Sequence, residues 1–218
     1  AKSSRVILKR WSPAGWTRRS EVGHAEVSHG AAESSPAAVE YPRRMTTTET
    51  NPLDIPTDDA LRRGAESVAE ILIARGQTMV AAESCTGGWI AKTLTDIAGS
   101  SAWFECGVVA YSYEAKESLL GVQPQTLERT GAVSQETVVE MVSGALARYG
   151  ATVAVAVTGI AGPSGGTPGK PVGTVWIGWK RRGGYARSEL FHFKGDREAV
   201  RRQTVAAALE GVRRVLTS

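Results

Sequence analysis

Residues 152–158 read TVAVAVT, an uninterrupted apolar run rich in β-branched side chains. Such a run is typical of a central strand that helices cover on both faces. Alternating elements flank it, with further strands predicted at 78–82, 104–111, 173–180 and 186–194, and helices at 61–72, 87–98, 114–120, 136–149 and 196–216. We therefore predict an α/β fold: a three-layer α/β/α sandwich with a mixed, mostly parallel sheet, whose last two strands form a hairpin.

The first part of the chain has a different composition. Residues 1–56 are rich in Gly, Ser, Ala, Pro, Glu and Arg and keep no helical or strand period. We predict that residues 1–56 are a disordered or non-native N-terminal extension and that residues 57–218 form the folded domain. A start at Met45 is one alternative, which would make residues 1–44 read-through sequence. A mitochondrial transit peptide is another, although its glutamates argue against it.

The net charge of +4 and the pI of about 9.2 invite a nucleic-acid interpretation. Residues 1–44 hold 8 Lys or Arg and 4 Glu, which accounts for the whole excess. The rest of the chain is neutral, and a neutral domain argues against a nucleic-acid partner. No apolar run reaches about 18 residues, so we expect no membrane partner either.

The two cysteines, Cys85 and Cys106, form no CxxC pattern. Neither a disulfide framework nor a zinc site is indicated, since clustered ligands are missing, and we expect no metal. A cytoplasmic, reducing location fits this cysteine usage best.

The segment ESCTGG, at 83–88, joins a predicted strand to a predicted helix. Sites in open α/β sheets lie at the carboxyl ends of strands. Amides at a helix N-terminus can hold a phosphate or a developing oxyanion, and glycines let the backbone approach a substrate. Ser84 is therefore a candidate nucleophile, with Thr86, Gly87 and Gly88 as candidate substrate contacts. The alternative is an ordinary helix cap.

A nucleophile needs a base, and the chain is poor in histidine. Cys85 competes with Ser84, but a catalytic cysteine normally needs a histidine partner. His192, the only histidine after residue 29, lies between two phenylalanines on a late strand. A buried lysine with a lowered pKa can replace it. Lys116, assisted by Tyr111, is the candidate base on the same rim of the sheet. The alternative is a solvated lysine beside a packing tyrosine.

A glycine-rich segment, TGIAGPSGG, begins at Thr158, the last residue of the central run. It is not a P-loop, because Pro171 stands where the magnesium-binding Ser or Thr would be. A pocket for a nucleotide-like ligand and a long mobile connection are the two interpretations. Under the first, Thr158, Gly159 and Gly162 are candidate substrate contacts.

Two arginines near the start of the last predicted helix, Arg197 and Arg201, are candidates for holding a substrate phosphate bidentately. A solvated helix face is the alternative.

Four segments together resemble the CinA C-terminal domain family: AESCTGGWIAKTLTDIAGSSAWFECGVVAYSYEAKESLLGV, GAVSQETV, AVAVTGIAGPSGGTPGKPVGTVWIGW and FKGDREAVR. The resemblance covers roughly residues 60–216. It implies an α/β/α sandwich and a nicotinamide-nucleotide amidohydrolase, which converts nicotinamide mononucleotide to nicotinic acid mononucleotide and ammonia in pyridine nucleotide recycling. It implies no metal or organic cofactor.

The family's motifs fall on particular positions of this sequence. Its serine falls on Ser84, its Tyr and Lys on Tyr111 and Lys116, its TGIAGP loop on residues 158–163, and its GDR motif on Asp196 and Arg197. Many family members also carry an N-terminal nucleotide pyrophosphatase-type domain. Residues 1–56 are too short for that domain, so the resemblance implies the stand-alone form.

Two other functions remain open. A non-catalytic nucleotide-binding module would use the same loops, and the competence and DNA-damage contexts of the family's name suggest it. A nucleic-acid accessory protein would depend on the basic extension. Small α/β enzymes of this kind often dimerise, so a homodimer is one expected assembly.

Overall fold

The computed structural model describes residues 55–218 and, outside that range, the backbone of three two-residue strands, Lys9–Arg10, Thr17–Arg18 and Thr48–Glu49. The extension predicted at 1–56 therefore lies almost wholly outside the described residues. Residues 55–218 contain five strands and six α-helices. The strands are β1 Met79–Glu83, β2 Phe104–Val109, β3 Val153–Gly159, β4 Thr174–Arg181 and β5 Arg187–His192. The helices are α1 Asp58–Ala74, α2 Trp89–Thr95, α3 Tyr113–Leu120, α4 Pro124–Thr130, α5 Gln135–Arg148 and α6 Arg197–Thr217.

The five strands form one mixed sheet in the order β5-β4-β3-β1-β2, and Thr48–Glu49 pairs parallel with β5. β1 is parallel to both β2 and β3, whereas β4 is antiparallel to both β3 and β5. Four of the five strands consequently point the same way, which confirms the predicted mixed, mostly parallel sheet. β3 is central, and its residues Val153–Val157 are fully buried, as their apolar run predicts.

Two apolar cores lie on the two faces of the sheet. Helices α1, α2 and α6 cover one face, and helices α3, α4 and α5 cover the other. Side chains alternate along a strand. In β3 the valines at 153, 155 and 157 enter the first core, and the alanines at 154 and 156 enter the second, against α5. These contacts confirm the three-layer α/β/α sandwich.

Side-chain caps explain where several helices begin. The hydroxyls of Thr57 and Ser134 and the carboxylate of Asp196 each accept a hydrogen bond from the amide three residues later, at the starts of α1, α5 and α6. Helix α2 begins two residues later than predicted, because Gly87 and Gly88 have φ values of +62° and +94°, outside the right-handed helical region.

The three parallel strands β2, β1 and β3 end at the same edge of the sheet. Ser84 follows β1, the segment 110–112 follows β2, and the glycine-rich segment follows β3. This edge therefore brings together the loops that carry the candidate site residues.

No helix within residues 55–218 has both the length and the hydrophobicity to cross a lipid bilayer.

Candidate active site

Ser84 and Lys116 are in direct contact at the edge where β1 and β2 end. The Nζ atom of Lys116 lies 3.1 Å from the Oγ atom of Ser84, 2.8 Å from the carbonyl oxygen of Ala110 and 3.1 Å from that of Tyr111. Both side chains are buried, with 8% of Ser84 and 1% of Lys116 exposed. The amide of Ser84 donates to the carbonyl of Val157, which extends the pairing of β1 with β3 up to the serine.

Lys116 lies in an environment that disfavours its charge. Burial lowers the pKa of its amine from 10.5 to about 8, although the nearby Cys85 has a small opposing effect on this pKa. No carboxylate forms an ion pair with Lys116 in the part of the chain that the structure describes. A lysine in this state can act as a base near neutral pH.

Cys85, the alternative nucleophile, is buried beside Ser84. Burial raises the pKa of its thiol to about 12, and the negative charge of Glu83 adds to this effect. Because the thiolate is the reactive form of cysteine, a raised pKa disfavours Cys85 as the nucleophile at neutral pH.

Arg197 and Tyr111 lie together at the mouth of the site. One guanidinium nitrogen of Arg197, Nη1, donates to the carbonyl of Gly162 at 2.7 Å, and the other, Nη2, lies 3.4 Å from the Tyr111 hydroxyl. The Tyr111 side chain is 62% exposed. Tyr111 therefore contacts Lys116 through its main-chain carbonyl, whereas its hydroxyl faces Arg197.

One cavity of about 200 Å³ joins most of these groups. Six of the predicted site residues line it, namely Ser84, Tyr111, Lys116, Thr158, Gly159 and Arg197, together with Cys85, Ala132, Val133 and Ala161. Five predicted site residues lie outside its lining: Thr86, Gly87, Gly88, Gly162 and Arg201. The lining contains two basic side chains and no acidic one.

The amides of the turn after Ser84 are arranged differently from the prediction. The carboxylate of Glu83 accepts hydrogen bonds from the amides of Gly88, Ile90 and Ala91, at 3.0, 3.1 and 2.8 Å. The amide of Gly87 donates to the carbonyl of Ser84 at 3.1 Å. The amides of Gly87 and Gly88 are therefore not free, because a turn carbonyl and a buried carboxylate already occupy them. Contact of these two glycines with a substrate stays a prediction.

Arg201 faces this turn and not the cavity beside Ser84. Its Nη2 atom donates to the carbonyl of Thr86 at 2.6 Å, and its guanidinium lies 5.0 Å from the ring centre of Trp89. It lines a second cavity of about 630 Å³, which Arg197 also borders. Of the two arginines, only Arg197 reaches both cavities.

Thr158 fixes one wall of the cavity. Its hydroxyl donates to the carbonyl of Ala132 at 2.7 Å, which ties the end of β3 to the loop before α5. In the same loop, the hydroxyls of Ser134 and Thr137 both donate to the carbonyl of Gly131. These bonds hold the backbone of Ala132 and Val133 against the site.

A family model for the CinA C-terminal domain matches residues 62–216. The chain belongs to the CinA C-terminal domain family.

Curated members of the CinA family include close relatives. The nicotinamide-nucleotide amidohydrolase PncC of Escherichia coli (strain K12) is 54% identical over 154 residues, which is 71% of this chain and 93% of that protein. The protein of the same name from Pseudomonas putida is 59% identical over 131 residues, 60% of this chain and 81% of that protein.

Solved CinA-family structures have the same fold. The competence/damage inducible protein CihA from Agrobacterium tumefaciens superposes with a TM-score of 0.71 at 43% identity, and the match covers 75% of this chain and 98% of that one. A CinA superfamily protein from Klebsiella pneumoniae gives a TM-score of 0.69 at 42% identity, covering 72% and 98%.

Sequence reasoning missed three residues that shape this CinA-family site. Glu83 precedes the serine, and a carboxylate a few residues before a helix is the signal that could have marked it as a capping group. Ala132 and Val133 carry no polar side chain, so no chemical pattern marks them. Only the folded chain shows that their backbone lines the cavity.

Proposed function

We propose that this chain hydrolyses the carboxamide of nicotinamide mononucleotide to nicotinic acid mononucleotide and ammonia, with Ser84 as nucleophile and Lys116 as base. The observation that carries the proposal is the buried contact of 3.1 Å between Lys116 Nζ and Ser84 Oγ. The names of the curated relatives support the substrate. We propose further that residues 57–218 form the catalytic domain.

The surroundings of Lys116 suit a base. A neutral amine has two hydrogens and one lone pair. The carbonyls of Ala110 and Tyr111 are acceptors only, so they take the two hydrogens of Lys116. The lone pair is then left for the hydroxyl of Ser84, the third neighbour of the amine.

Two amides remain available for the oxyanion. The amides of Cys85 and Thr86 donate to no other residue within residues 55–218, whereas those of Gly87 and Gly88 are occupied. Of these two residues only Cys85 lines the cavity, so its amide is the proposed oxyanion donor. An oxyanion-hole donor contributes on the order of 3 kcal/mol. The amide of the residue after the nucleophile commonly fills this role.

The reaction proceeds in two halves. The Ser84 oxygen attacks the carboxamide carbon and its proton passes to Lys116. The resulting ammonium then protonates the departing nitrogen, so that ammonia leaves and an ester with Ser84 remains. Water attacks this ester while Lys116 accepts its proton, and the serine oxygen leaves with a proton returned by the lysine.

The shape and charge of the site suit the proposed substrate. A cavity of roughly 150 Å³ holds a benzene ring, whereas drug-sized ligands occupy roughly 300–1,000 Å³. The cavity of about 200 Å³ therefore fits the pyridine ring with its carboxamide, and the ribose phosphate must extend beyond it. Arg197 at the mouth is the proposed phosphate ligand. Because the pyridine nitrogen of the nucleotide is positively charged, a neutral Lys116 also avoids repelling the ring.

The test is ammonia release from nicotinamide mononucleotide by the purified protein and by Ser84→Ala. We expect the release to disappear in the variant, while its folding and its thermal stabilisation by the nucleotide persist. Ser143→Ala is a matched control, because Ser143 also lies 3.1 Å from a lysine, Lys180, but outside the cavity. It should keep full activity.

Two outcomes would overturn the proposal. Full activity of Ser84→Ala would exclude the serine as nucleophile. No ammonia from the unaltered protein, with stabilisation by the nucleotide, would indicate a binding module and not an enzyme.

A further inference from the structure

We propose that Glu83 and Arg201 are positioning residues that hold the nucleophile turn, defined as residues 84–88, at two points. The inference rests on the proposed function, because the turn carries the proposed nucleophile. Neither side chain lines the cavity beside Ser84, so neither contacts the reacting groups.

Glu83 ties the two ends of the turn together. Its side chain is fully buried and forms no ion pair among residues 55–218. A buried carboxylate is costly unless donors surround it, and here the amides of Gly88, Ile90 and Ala91 supply three. Because Glu83 is the last residue of β1, these bonds fix the path by which the chain leaves the strand, passes Ser84 and enters α2.

Arg201 holds the middle of the turn from a different element. It lies on α6, and its Nη2 atom donates to the carbonyl of Thr86 at 2.6 Å. Its guanidinium also lies 5.0 Å from the ring centre of Trp89, the first residue of α2. The turn is therefore fastened to the helix whose first residue is Arg197, the proposed phosphate ligand.

Small displacements of the turn have large consequences. The serine oxygen must stay 3.1 Å from Lys116, and the amide of Cys85, a residue that lines the cavity, must keep its place beside it. A misplacement of about 1 Å can cost a factor of about 100 in rate. Loosening the turn should therefore lower kcat and leave KM nearly unchanged, since Arg197, the proposed phosphate ligand, lies on α6 and not in the turn.

The first test compares Glu83→Gln with Glu140→Gln. Glu140 is a matched carboxylate, because it accepts from the amide of Gln123 and the hydroxyl of Thr126 at the start of α4, away from the cavity. Both variants should lower Tm. Glu83→Gln should also lower kcat about 100-fold, because its amide group turns an N–H toward a backbone N–H. Glu140→Gln should stay within about 3-fold of the parent protein. Equal kcat in the two folded variants would overturn the positioning role of Glu83.

The second test compares Arg201→Met with Arg202→Met and does not depend on the folding of the first pair. Arg202 also lies 5.0 Å from the Trp89 ring, but it bonds Asp58, Glu198 and the carbonyl of Pro56 and not the turn. Arg201→Met should lower kcat at least 10-fold with KM nearly constant, and Arg202→Met should not. A rise in KM alone for Arg201→Met would mean that Arg201 binds substrate.

A third measurement separates failure of this inference from failure of the proposed function. A fluorophosphonate labels an activated serine without needing the nucleotide, and peptide mapping shows whether Ser84 is the residue labelled. We expect Glu83→Gln and Arg201→Met to slow this labelling in proportion to kcat.

The labelling experiment has three informative outcomes. Labelling of Ser84 that slows in these variants, in a protein that releases no ammonia, would overturn the proposed substrate and support the positioning role. Labelling that stays fast in both variants would overturn the positioning role alone. Absence of labelling and of ammonia release would overturn both.

Discussion

Ser84 and Lys116 are 32 residues apart in sequence, yet the Oγ and Nζ atoms of their side chains are 3.1 Å apart in a pocket without acidic side chains. The protonation state of the Lys116 amine therefore determines whether it donates a hydrogen bond to Ser84 or accepts one from it.

The first prediction concerns pH. Because burial lowers the pKa of Lys116, the proposed base, to about 8, its amine is mostly neutral above that pH and mostly protonated below it. We expect kcat/KM for nicotinamide mononucleotide to rise with pH, with a midpoint near 8, and then to level off. The positively charged pyridine ring should lower this pKa further, so the midpoint for kcat should lie below that for kcat/KM.

Initial rates of ammonia release between pH 6 and 10 test both midpoints, and a mixed buffer of constant ionic strength is the control. A rate that falls as pH rises from 6 to 8 would contradict the assignment of Lys116 as the base.

The second prediction concerns stability. Between pH 8 and 10.5 an unfolded Lys116 keeps a proton that the folded one has lost, so the free energy of unfolding rises with pH in this window. The rise is about 3 kcal/mol. The Lys116→Met variant has no amine at this position, so its free energy of unfolding should lack this rise. We expect the variant's stability relative to the parent protein to decrease by about that amount from pH 8 to 10.5.

Urea unfolding at several pH values measures this difference. Below about pH 7 both states of the parent protein hold the proton, so the difference between the two proteins should be constant there, which serves as the internal control. A difference that is also constant from pH 8 to 10.5 would show that Lys116 is not perturbed.

The third prediction concerns Arg197 as the phosphate ligand. Hydrogen bonds to charged groups contribute about 1.5–3 kcal/mol, so Arg197→Ala should raise KM for nicotinamide mononucleotide about 10- to 100-fold. The control is nicotinamide riboside, which lacks the phosphate. The KM for nicotinamide riboside should change little in the variant. An equal rise in KM for both substrates would mean that Arg197 acts by holding the carbonyl of Gly162 and not by binding the phosphate.

The fourth prediction concerns two glycines inside helices. Replacing a mid-helix glycine with alanine normally stabilises a protein by about 1 kcal/mol. At Gly144 in α5, a Cβ atom would overlap the carbonyl oxygen of Leu120, where α3 ends, so Gly144→Ala should destabilise the domain by about 2 kcal/mol or more.

Gly64 in α1 is the matched control for this substitution. A Cβ atom there would meet only Leu209, with Cδ1 at 3.5 Å, so Gly64→Ala should be stabilising. Thermal unfolding of the two variants shows whether each substitution raises or lowers the stability of the domain. A Gly144→Ala protein as stable as the parent protein would mean that α3 and α5 can separate at little cost.

The layers of the fold were predictable because they depend on local patterns. The buried run of β3 involves residues close together in sequence, and it lies where its pattern indicates. Helix α4 was missed, because seven residues between Gln123 and Gly131 carry too few apolar positions to show a period.

The site was only partly predictable. Strand ends explain why Ser84, Tyr111 and Thr158 meet. Glu83 accepts a hydrogen bond from the Gly88 amide, and Arg201 donates one to the Thr86 carbonyl. Both bonds depend on how α2 and α6 pack, and no local sequence pattern indicates that packing.

The polar residues that line the cavity come from two separate parts of the sequence. Ser84, Tyr111 and Lys116 belong to the segment from β1 to α3, whereas Thr158 and Arg197 come after α5. A chimera of two family members joined at Gly121, the residue after α3, would take its proposed nucleophile and base from one parent and its proposed phosphate ligand from the other. Recombination at that point could thus exchange substrate preference while the bond-breaking chemistry is inherited intact.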